Sequence, residues 1–430
     1  MNLSHRRKKR ACIIGLDGVP FDLLVKFAAH GIMPAMQKLL ESGCLHRMKA
    51  GLPEVSSVSW TSFMTGANPG AHGIFGFTDL SERSYQTRFP NFLDVKIPTI
   101  WDRLGERGLK SMVINQPSTY PARKIEGAMV SGFVAIELAK AVYPARHLGV
   151  LEKMGYKMDI DTLKARYDHG FLWKELDSAL EIGRKAFQYF WDQEWDLFEF
   201  IVTGTDRLHH YLWDAHWDAG HSSHGAFIDY YRKVDRLIHL ITTEFQELTG
   251  GVQGLYLLSD HGFTGIIQEV YLNAWLERAG YLRFDSPTPQ RLADLAPGTR
   301  AFGLEPNRVY LNLKGRFPRG VVEKSDRKTL KAEIAAALKE LEHEGRKVVR
   351  EVFDAEEIYS GAYVEKGPDL IVLAESGFDM KCALEKKDIF GRSDLQGMHT
   401  WENAFLWTPK HCGSDIQISD VAAMVMAEFE

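Results

Sequence analysis

Short apolar runs alternate with longer amphipathic segments along much of the chain. The run ACIIGLDG at 11–18 predicts a buried strand that ends in a glycine turn, and GLYLLSD at 254–260 predicts another. Helical spacing predicts helices that end at Gly31 and Gly43, where a left-handed glycine cap is common. Further helices and strands are predicted at 97–108, 109–115, 172–193, 197–206 and 225–246. This alternation is typical of a mostly parallel sheet covered by helices on both faces, so the pattern predicts an α/β fold.

Two stretches interrupt the alternation. Residues 118–170 are rich in Pro, Gly, Tyr and charge and have weak periodicity, whereas 264–365 contain a strand-like run and a charged helix at about 325–343. Core-like segments resume after each stretch. We therefore predict a single α/β domain over 11–430 that carries both stretches as cap insertions, preceded by a basic tail at 1–10.

The composition excludes several classes of protein. The chain has 430 residues, 45% of them apolar and 25% charged, which are ordinary globular values and exclude a disordered chain or a coiled coil. A net charge of −5 gives no reason to expect a nucleic-acid partner. The four scattered cysteines favour a reducing compartment, so we expect a cytoplasmic protein. No apolar run is long enough for a signal peptide or a membrane span.

Carboxylates follow three of the predicted strands. Asp17 comes after ACIIGL, Asp206 after LFEFIVTGT, and Asp260 with His261 after GLYLLS. Ligands of open α/β sheets bind beyond the carboxyl ends of the strands, so these side chains are expected to meet at one edge. Unpaired carboxylates would repel one another there, which predicts a metal cation between them. Any one of them alone would be read as a turn or N-cap residue.

Histidines extend this pattern. Asp206 and His210 are four residues apart in TDRLHHYLW, so on a helix both would point from one face, as ligands of one metal ion do. His209 would point elsewhere, either behind the site or to the surface. His399 lies in a glycine-flanked segment, QGMHTWENAF, and indicates little by itself.

Hydroxyl side chains crowd the segment LPEVSSVSWTSFMTGANPGAHGIFGF at 52–77. A hydroxyl at the start of a helix lies near free N–H groups and the positive end of the helix dipole, a place that suits phosphate. Ser56 or Ser57 could be a nucleophile there, and the alternative is an ordinary N-cap serine. The chain contains no G-x-S-x-G elbow, no P-loop and no G-x-G-x-x-G turn, which disfavours a serine hydrolase, a P-loop ATPase and a dinucleotide enzyme.

Taken in order, these segments resemble the alkaline phosphatase superfamily, in particular its type I phosphodiesterase/nucleotide pyrophosphatase-like branch. The matching text is GLDG at 15–18, PEVSSVSWTSFMTGANPGAHGI at 53–74, TDRLHHYLW at 205–213, SDHGF at 259–263 and GMHT at 397–400. The resemblance implies a three-layer α/β sandwich with a mostly parallel central sheet and cap insertions. The C/S-x-P-x-R signature of sulfatases is absent.

The resemblance also implies the chemistry and the residues that perform it. It predicts a metal-dependent phosphohydrolase, in particular a phosphodiesterase acting on a small-molecule phosphoester through a phosphoseryl intermediate. Ser56 is expected as the nucleophile, with Ser57 as the second choice. Two divalent ions are implied, of which Zn²⁺ suits Asp and His ligands best, while Mn²⁺ or Fe would also fit. Asp17, Asp260, His261 and the Ser56 oxygen are expected at one ion, and Asp206, His210 and His399 at the other.

One position departs from the family pattern. Nucleotide pyrophosphatases have an Asn shortly after the HGI text that binds a phosphate oxygen, and Phe77 stands there in this chain. Asn115, Lys96 and Arg316 are the candidates considered for a replacement donor. Two other functions stay open: a phosphomutase or phosphotransferase on the same metal site, and a catalytically inactive binding protein.

Overall fold

A nine-stranded sheet forms the centre of the protein, whose structure is a computed structural model describing residues 9–430. Most of the basic tail predicted at 1–10 lies outside the described residues. In spatial order the strands are Ile416–Gln417, Cys44–Lys49, Ala404–Thr408, Leu255–Leu258, Ala11–Leu16, Leu197–Val202, Ser111–Gln116, Gly127–Ser131 and Val142–Tyr143. The run of five strands from Leu255–Leu258 to Gly127–Ser131 is parallel.

Helices cover both faces of this sheet. The helices of the structure span Phe21–Ala29, Pro34–Ser42, Ser56–Thr65, Pro69–His72, Ile100–Glu106, Leu138–Ala141, Leu148–Met154, Thr162–Tyr167, His169–Trp191, Gly204–Leu212, His224–Thr249, Leu272–Arg278, Arg327–Lys339, Ala355–Ile358 and Asp420–Ala427. Of these, Leu272–Arg278, Arg327–Lys339 and Ala355–Ile358 pack in other apolar clusters and not on the central sheet. Two separate apolar cores result, one on each face, and alternate residues of the strand Ala11–Leu16 belong to each of them. The predicted three-layer α/β sandwich with a mostly parallel sheet is confirmed. No helix within residues 9–430 has the length and apolar character that crossing a bilayer requires.

A smaller, mostly antiparallel body with its own apolar core lies beyond the central sheet and is called the antiparallel body below, although its strands Gln268–Tyr271 and Phe378–Lys381 run parallel. Its four-stranded sheet has the order Ala301–Leu304, Arg308–Leu311, Leu370–Ala374 and Val349–Asp354, and a three-stranded sheet has the order Phe378–Lys381, Gln268–Tyr271 and Phe390–Gly391. Three two-stranded sheets pair Gly262–Gly265 with Gly397–Thr400, Glu342–His343 with Arg346–Lys347, and Asp79–Leu80 with Thr87–Arg88. The segment 118–170 contributes two strands to the central sheet. The division of the chain into one domain with two cap insertions remains a proposal.

The glycines that follow the first two helices show where local sequence patterns succeed and where they fail. Gly31 has a φ of +70°, as a left-handed glycine cap requires. The second helix also ends where predicted, at Ser42, but Gly43 is not a left-handed cap, because it is extended, with a φ of −158°. A Cβ atom at Gly43 would lie 2.5 Å from the Trp407 ring and 2.6 Å from the Thr408 carbonyl oxygen. The glycine therefore permits the close approach of two neighbouring segments, which no local pattern reveals.

A buried acid in the central sheet gives a first testable prediction. Glu199 is fully buried and accepts a hydrogen bond from Trp101 Nε1 at 3.0 Å, whereas its Oε1 has no hydrogen-bond partner among the residues that the structure describes. Burial raises the pKa of Glu199 from 4.5 to about 8. Between these values the folded chain holds a proton that the unfolded chain releases. Its contribution to stability is therefore complete below the lower value and is lost as the pH rises through the higher one.

We expect Glu199→Gln to flatten the fall in stability between pH 6 and pH 8. One pKa unit corresponds to about 1.4 kcal/mol, so the wild-type free energy of unfolding should fall by about 2 kcal/mol more than that of the variant. Urea unfolding of both proteins at the two pH values measures this difference, because their other titrating groups are shared. Parallel pH dependences of the two proteins would show that Glu199 does not titrate in this range.

Candidate active site

Three adjacent strands deliver carboxylates to one edge of the central sheet. The strand Ala11–Leu16 lies between Leu255–Leu258 and Leu197–Val202, and all three run in the same direction. Asp17 directly follows the first of these strands, Asp260 follows the second, and Asp206 lies in the helix after the third. The three carboxylates that are far apart in sequence are therefore neighbours, and each is at most 2% exposed.

One group of side chains surrounds the start of the helix Ser56–Thr65. The Ser56 hydroxyl oxygen lies 3.1 Å from His261 Nε2 and 3.4 Å from Asp17 Oδ1. His261 Nε2 is also 3.3 Å from Asp260 Oδ2. Ligand atoms of Asp17, Asp260 and His261 all lie within 4.8 Å of one another. The serine is thus at the first position of a helix and beside a compact set of acidic and imidazole groups.

A second group lies next to the first. Asp206 Oδ1 is 3.4 Å from His210 Nε2 and 3.3 Å from His399 Nε2, and the two imidazole nitrogens are 3.1 Å apart. The helix predicted for TDRLHHYLW is observed as Gly204–Leu212, which places Asp206 and His210 on one face. His399 comes from the strand Gly397–Thr400, where it pairs with Phe263. His261 Nε2 is 3.9 Å from Asp206 Oδ1, so the two groups adjoin.

The three histidines are oriented by backbone carbonyls. Nδ1 of His210, His261 and His399 lies 3.0 Å from the carbonyl oxygens of Gly397, Gly262 and Glu54, respectively. A carbonyl oxygen only accepts, so each Nδ1 must donate and each neutral ring keeps a lone pair on Nε2. Those lone pairs face the carboxylates and, for His210 and His399, each other. Such an arrangement is repulsive on its own and suits a cation between the rings.

Each carboxylate has one oxygen held by the protein and one oxygen turned to the centre of the site. Trp60 Nε1 donates to Asp17 Oδ2 at 3.2 Å, and the Gly18 backbone N–H donates to Asp260 Oδ1 at 3.0 Å. Arg207 Nη1 donates to Asp206 Oδ2 at 2.6 Å. The opposite oxygens, Asp206 Oδ1 and Asp260 Oδ2, are buried and have no hydrogen-bond partner among residues 9–430. Buried acceptors of this kind are costly unless a ligand satisfies them.

The electrostatics of the two groups indicate missing positive charge. Burial, together with repulsion from Asp260 and Asp206, raises the pKa of Asp17 well above its ordinary value. Burial raises the pKa of Asp260 to about 7 and lowers the pKa of His210 and of His261 to about 3. The protein alone therefore penalises the ionised forms of Asp17 and Asp260 and keeps His210 and His261 neutral, the form that binds metals. Asp206 and His399 differ because they pair with each other: despite burial, the neighbouring His210, His399 and Arg207 lower the pKa of Asp206, and the contact with Asp206 raises the pKa of His399. Side chains with these donors fit two divalent ions, with three side chains at each.

Two residues that sequence reasoning missed support Asp206 from behind. Arg207 is 9% exposed, and besides Asp206 it contacts Asp159 through Nε at 3.2 Å and Nη2 at 2.7 Å. Asp159 lies in the segment 118–170, where weak periodicity left no expectation about contacts. An arginine directly after a predicted site carboxylate was the only available signal.

His209 lies behind the site, so the surface alternative considered for it is wrong. The residue is fully buried, its Nδ1 donates to the Gly18 carbonyl at 2.9 Å, and its Nε2 accepts from the Tyr231 hydroxyl at 2.7 Å. Gly18 in turn donates to Asp260. A chain of hydrogen bonds from Tyr231 thus holds the turn that carries Asp17.

The proposed replacements for the family Asn occupy other places. Asn115 Nδ2 donates to the Ile201 carbonyl at 2.9 Å, and Lys96 and Arg316 line a separate cavity of about 570 Å³. Phe77 does line a cavity of about 200 Å³ together with His210 and His399. The basic side chain on that cavity is Lys381, which no sequence motif identified.

Comparison with known proteins matches this geometry to one family. The model of the family described as type I phosphodiesterase / nucleotide pyrophosphatase matches residues 11–402. No curated protein matches the chain. A similar solved structure is phosphonoacetate hydrolase from Sinorhizobium meliloti 1021 in complex with phosphonoformate, at 14% identity and a TM-score of 0.65, covering 99% of this chain and 96% of that one.

Mammalian structures share the fold as well. Murine ectonucleotide pyrophosphatase / phosphodiesterase 5, as an inactive variant in complex with AMP, is 13% identical, with a TM-score of 0.55 and coverage of 98% of this chain and 94% of that one. The human protein of the same name is also 13% identical, with a TM-score of 0.54 and coverage of 97% and 94%. At these identities the likeness concerns the fold alone.

Proposed function

Because the chain belongs to the type I phosphodiesterase / nucleotide pyrophosphatase family, and is thus a hydrolase of the alkaline phosphatase superfamily, we propose that it is a metal-dependent phosphodiesterase of small-molecule phosphoesters. The observation that carries the proposal is the convergence of three imidazole Nε2 atoms and three buried carboxylates beside the Ser56 hydroxyl. We also propose a reducing, cytoplasmic location, which suits the four free cysteines.

The six side chains would hold two divalent ions in two sets. Asp17, Asp260 and His261 would bind one ion together with the Ser56 oxygen. Asp206, His210 and His399 would bind the other. Imidazole and carboxylate donors favour Zn²⁺, with Mn²⁺ or Fe as alternatives. When bound, such ions lower the pKa of a serine hydroxyl and neutralise charge on the phosphoryl and leaving oxygens.

The residues of the chain define the covalent steps. The Ser56 oxygen forms a bond to phosphorus while the bond from phosphorus to the leaving alcohol breaks, and the alcohol oxygen keeps that electron pair and takes up a proton. A water oxygen then forms a bond to phosphorus while the bond from phosphorus to the Ser56 oxygen breaks, and a proton from that water regenerates the Ser56 hydroxyl. Trp60, Gly18 and Arg207 keep the site carboxylates in fixed orientations during both steps, which is the preorganisation that electrostatic catalysis requires.

A chelation experiment tests this function. The purified protein is assayed with bis(p-nitrophenyl) phosphate and with p-nitrophenyl phosphate, before and after treatment with a chelator and after addition of Zn²⁺, Mn²⁺ or Fe²⁺. We expect turnover of the diester, its loss on chelation and its recovery with at least one of these metals. Full activity of chelator-treated, metal-free protein would contradict the proposal. Formation of a new ester with an added alcohol in place of free product would identify a phosphotransferase.

Arg207 provides a prediction about metal affinity. We expect Arg207→Met to weaken binding of the ion at the Asp206 set by about 10–100-fold, because the Asp206 carboxylate loses the contact that orients it. Competition with a chromophoric chelator measures the affinity. Arg184→Met is the matched control, because Arg184 pairs with Glu181 on an exposed helix face. Unchanged affinity in a folded Arg207→Met protein would show that the contact has no positioning role.

A further inference from the structure

A cavity of about 200 Å³ adjoins the second group of the candidate site. His210 and His399 line one side of it, and residues of the antiparallel body line the other, among them Asn307, Asp379 and Lys381. A phosphoester whose phosphorus lies beside His210 and His399 can extend one of its ester groups into this space. The chemistry of the wall therefore selects that group.

Carboxylates outnumber cations on the cavity wall. Glu54, Glu305 and Asp379 line it, and Lys381 is the basic side chain beside them. Lys381 Nζ already contacts Asp379 at 2.7 Å. An ester group that carried a carboxylate or a second phosphate would meet three acidic side chains with one paired ammonium to offset them, so an anionic group is disfavoured.

The amide of Asn307 leaves an acceptor open. Its Nδ2 donates to both Glu54 carboxylate oxygens, at 3.2 and 3.3 Å. Because a carboxylate only accepts, these contacts fix the orientation of the amide. Asn307 is 2% exposed, and its Oδ1 is buried without a hydrogen-bond partner in the part of the chain that the structure describes. An unsatisfied acceptor of this kind needs a donor, which a bound ligand can supply.

The Glu305 carboxylate is another acceptor on the cavity wall. Glu305 Oε1 accepts from the Cys382 backbone N–H at 2.8 Å, so this carboxylate too has fixed geometry and remaining lone pairs. An apolar ester group in the cavity would shield these acceptors from water without pairing them, which is unfavourable for each acceptor. An ester group with several O–H or N–H donors satisfies them instead.

We propose that the ester group bound in this cavity is donor-rich, and that Asn307, Glu305 and Asp379 are its acceptors. This inference rests on the proposed function and adds the substrate class to it. The donors can belong to a polyol or to an amino alcohol, since both present several O–H or N–H groups to carboxylates and amides. Phosphodiesters with an apolar or an anionic ester group are expected to be poorer substrates.

A series of p-nitrophenyl phosphodiesters tests the proposal, because every member releases the same reporter. The second ester group is glycerol, ethanolamine, propyl or glycolate, and each is assayed with the metal-loaded enzyme. We expect kcat/KM for the glycerol or the ethanolamine ester to exceed that of the propyl and glycolate esters at least tenfold. A higher value for glycerol assigns a polyol, and a higher value for ethanolamine assigns an amino alcohol.

Two variants locate this preference in the cavity. We expect Asp379→Asn and Glu305→Gln each to reduce the ratio of kcat/KM between the preferred ester and the propyl ester at least threefold. Asp388→Asn, an exposed position on the same body, should keep the wild-type ratio. Thermal melting verifies that each variant is folded.

The outcomes separate this inference from the function beneath it. Turnover of all four esters at similar rates, or fastest turnover of the propyl or glycolate ester, would overturn the donor-rich class while leaving the phosphodiesterase intact. The donor-rich class is also overturned if both cavity variants keep the wild-type ratio. No turnover of any ester with Zn²⁺, Mn²⁺ or Fe²⁺ would refute the proposed function, and the inference would fall with it.

Discussion

Replacing Ser56 by alanine is expected to lower kcat for a phosphodiester by at least ~10⁴-fold, because the variant has no oxygen to attack phosphorus. Ser56 is 3% exposed, and its hydroxyl lies 3.1 Å from His261 Nε2. The loss of one oxygen atom leaves the helix Ser56–Thr65 and the surrounding carboxylates in place. The effect should therefore appear in kcat, measured by release of p-nitrophenol from an aryl diester, without loss of folding.

Ser57→Ala is the matched control, since it removes the same atom one residue further along. The Ser57 hydroxyl is buried, has no hydrogen-bond partner within the described residues and lines a small cavity with Thr61 and Ser118. We expect this variant to retain activity within a few-fold of the wild type. Full turnover by Ser56→Ala and loss of turnover in Ser57→Ala would instead assign the nucleophile to Ser57. A burst of p-nitrophenol in the wild type that is absent from Ser56→Ala would support a covalent intermediate.

Asp206→Asn is expected to lower kcat by at least ~10³-fold, which corresponds to about 4 kcal/mol of activation free energy. Asp206 Oδ1 lies within 3.4 Å of both His210 Nε2 and His399 Nε2. Replacing the carboxylate by a neutral amide therefore removes the negative charge between these two imidazoles. The substitution preserves the size of the side chain. Metal analysis should show a fall from two bound ions per chain towards one.

Asp214→Asn tests whether the loss of any acid near this helix has the same effect. Asp214 follows the helix Gly204–Leu212 and is exposed, so its substitution should leave activity and metal content unchanged. If Asp206→Asn kept both bound ions and full activity, Asp206 would have no place in a metal site. Equal losses in the two variants would point to a general effect of charge on the protein.

The parts of the fold and site that the sequence predicted follow from local periodicity and topology. Alternating apolar runs identify the parallel strands, and parallel strands place their carboxyl ends at one edge, so Asp17, Asp206 and Asp260 had to be neighbours. A helical spacing of four joined His210 to Asp206. His399 was different, because it lies far along the chain and only the ordered resemblance linked it to the other residues.

The remaining features depend on contacts between distant segments. The pairing of Arg207 with Asp159 joins a core helix to a stretch without periodicity, and Lys381 reaches the site from a different sheet. The extended Gly43 is explained by the approach of Trp407 and not by its position after a helix. Such contacts arise only when the sheets have assembled, so local patterns do not encode them.

The most direct test of the account is a crystal structure of the metal-loaded protein with anomalous scattering data at the metal absorption edge. We predict two anomalous peaks beside the Ser56 oxygen. One should lie about 2.0–2.2 Å from ligand atoms of Asp17, Asp260 and His261, and the other at the same distance from ligand atoms of Asp206, His210 and His399. The absence of peaks between these side chains in a crystal of the active, metal-loaded enzyme would contradict the account.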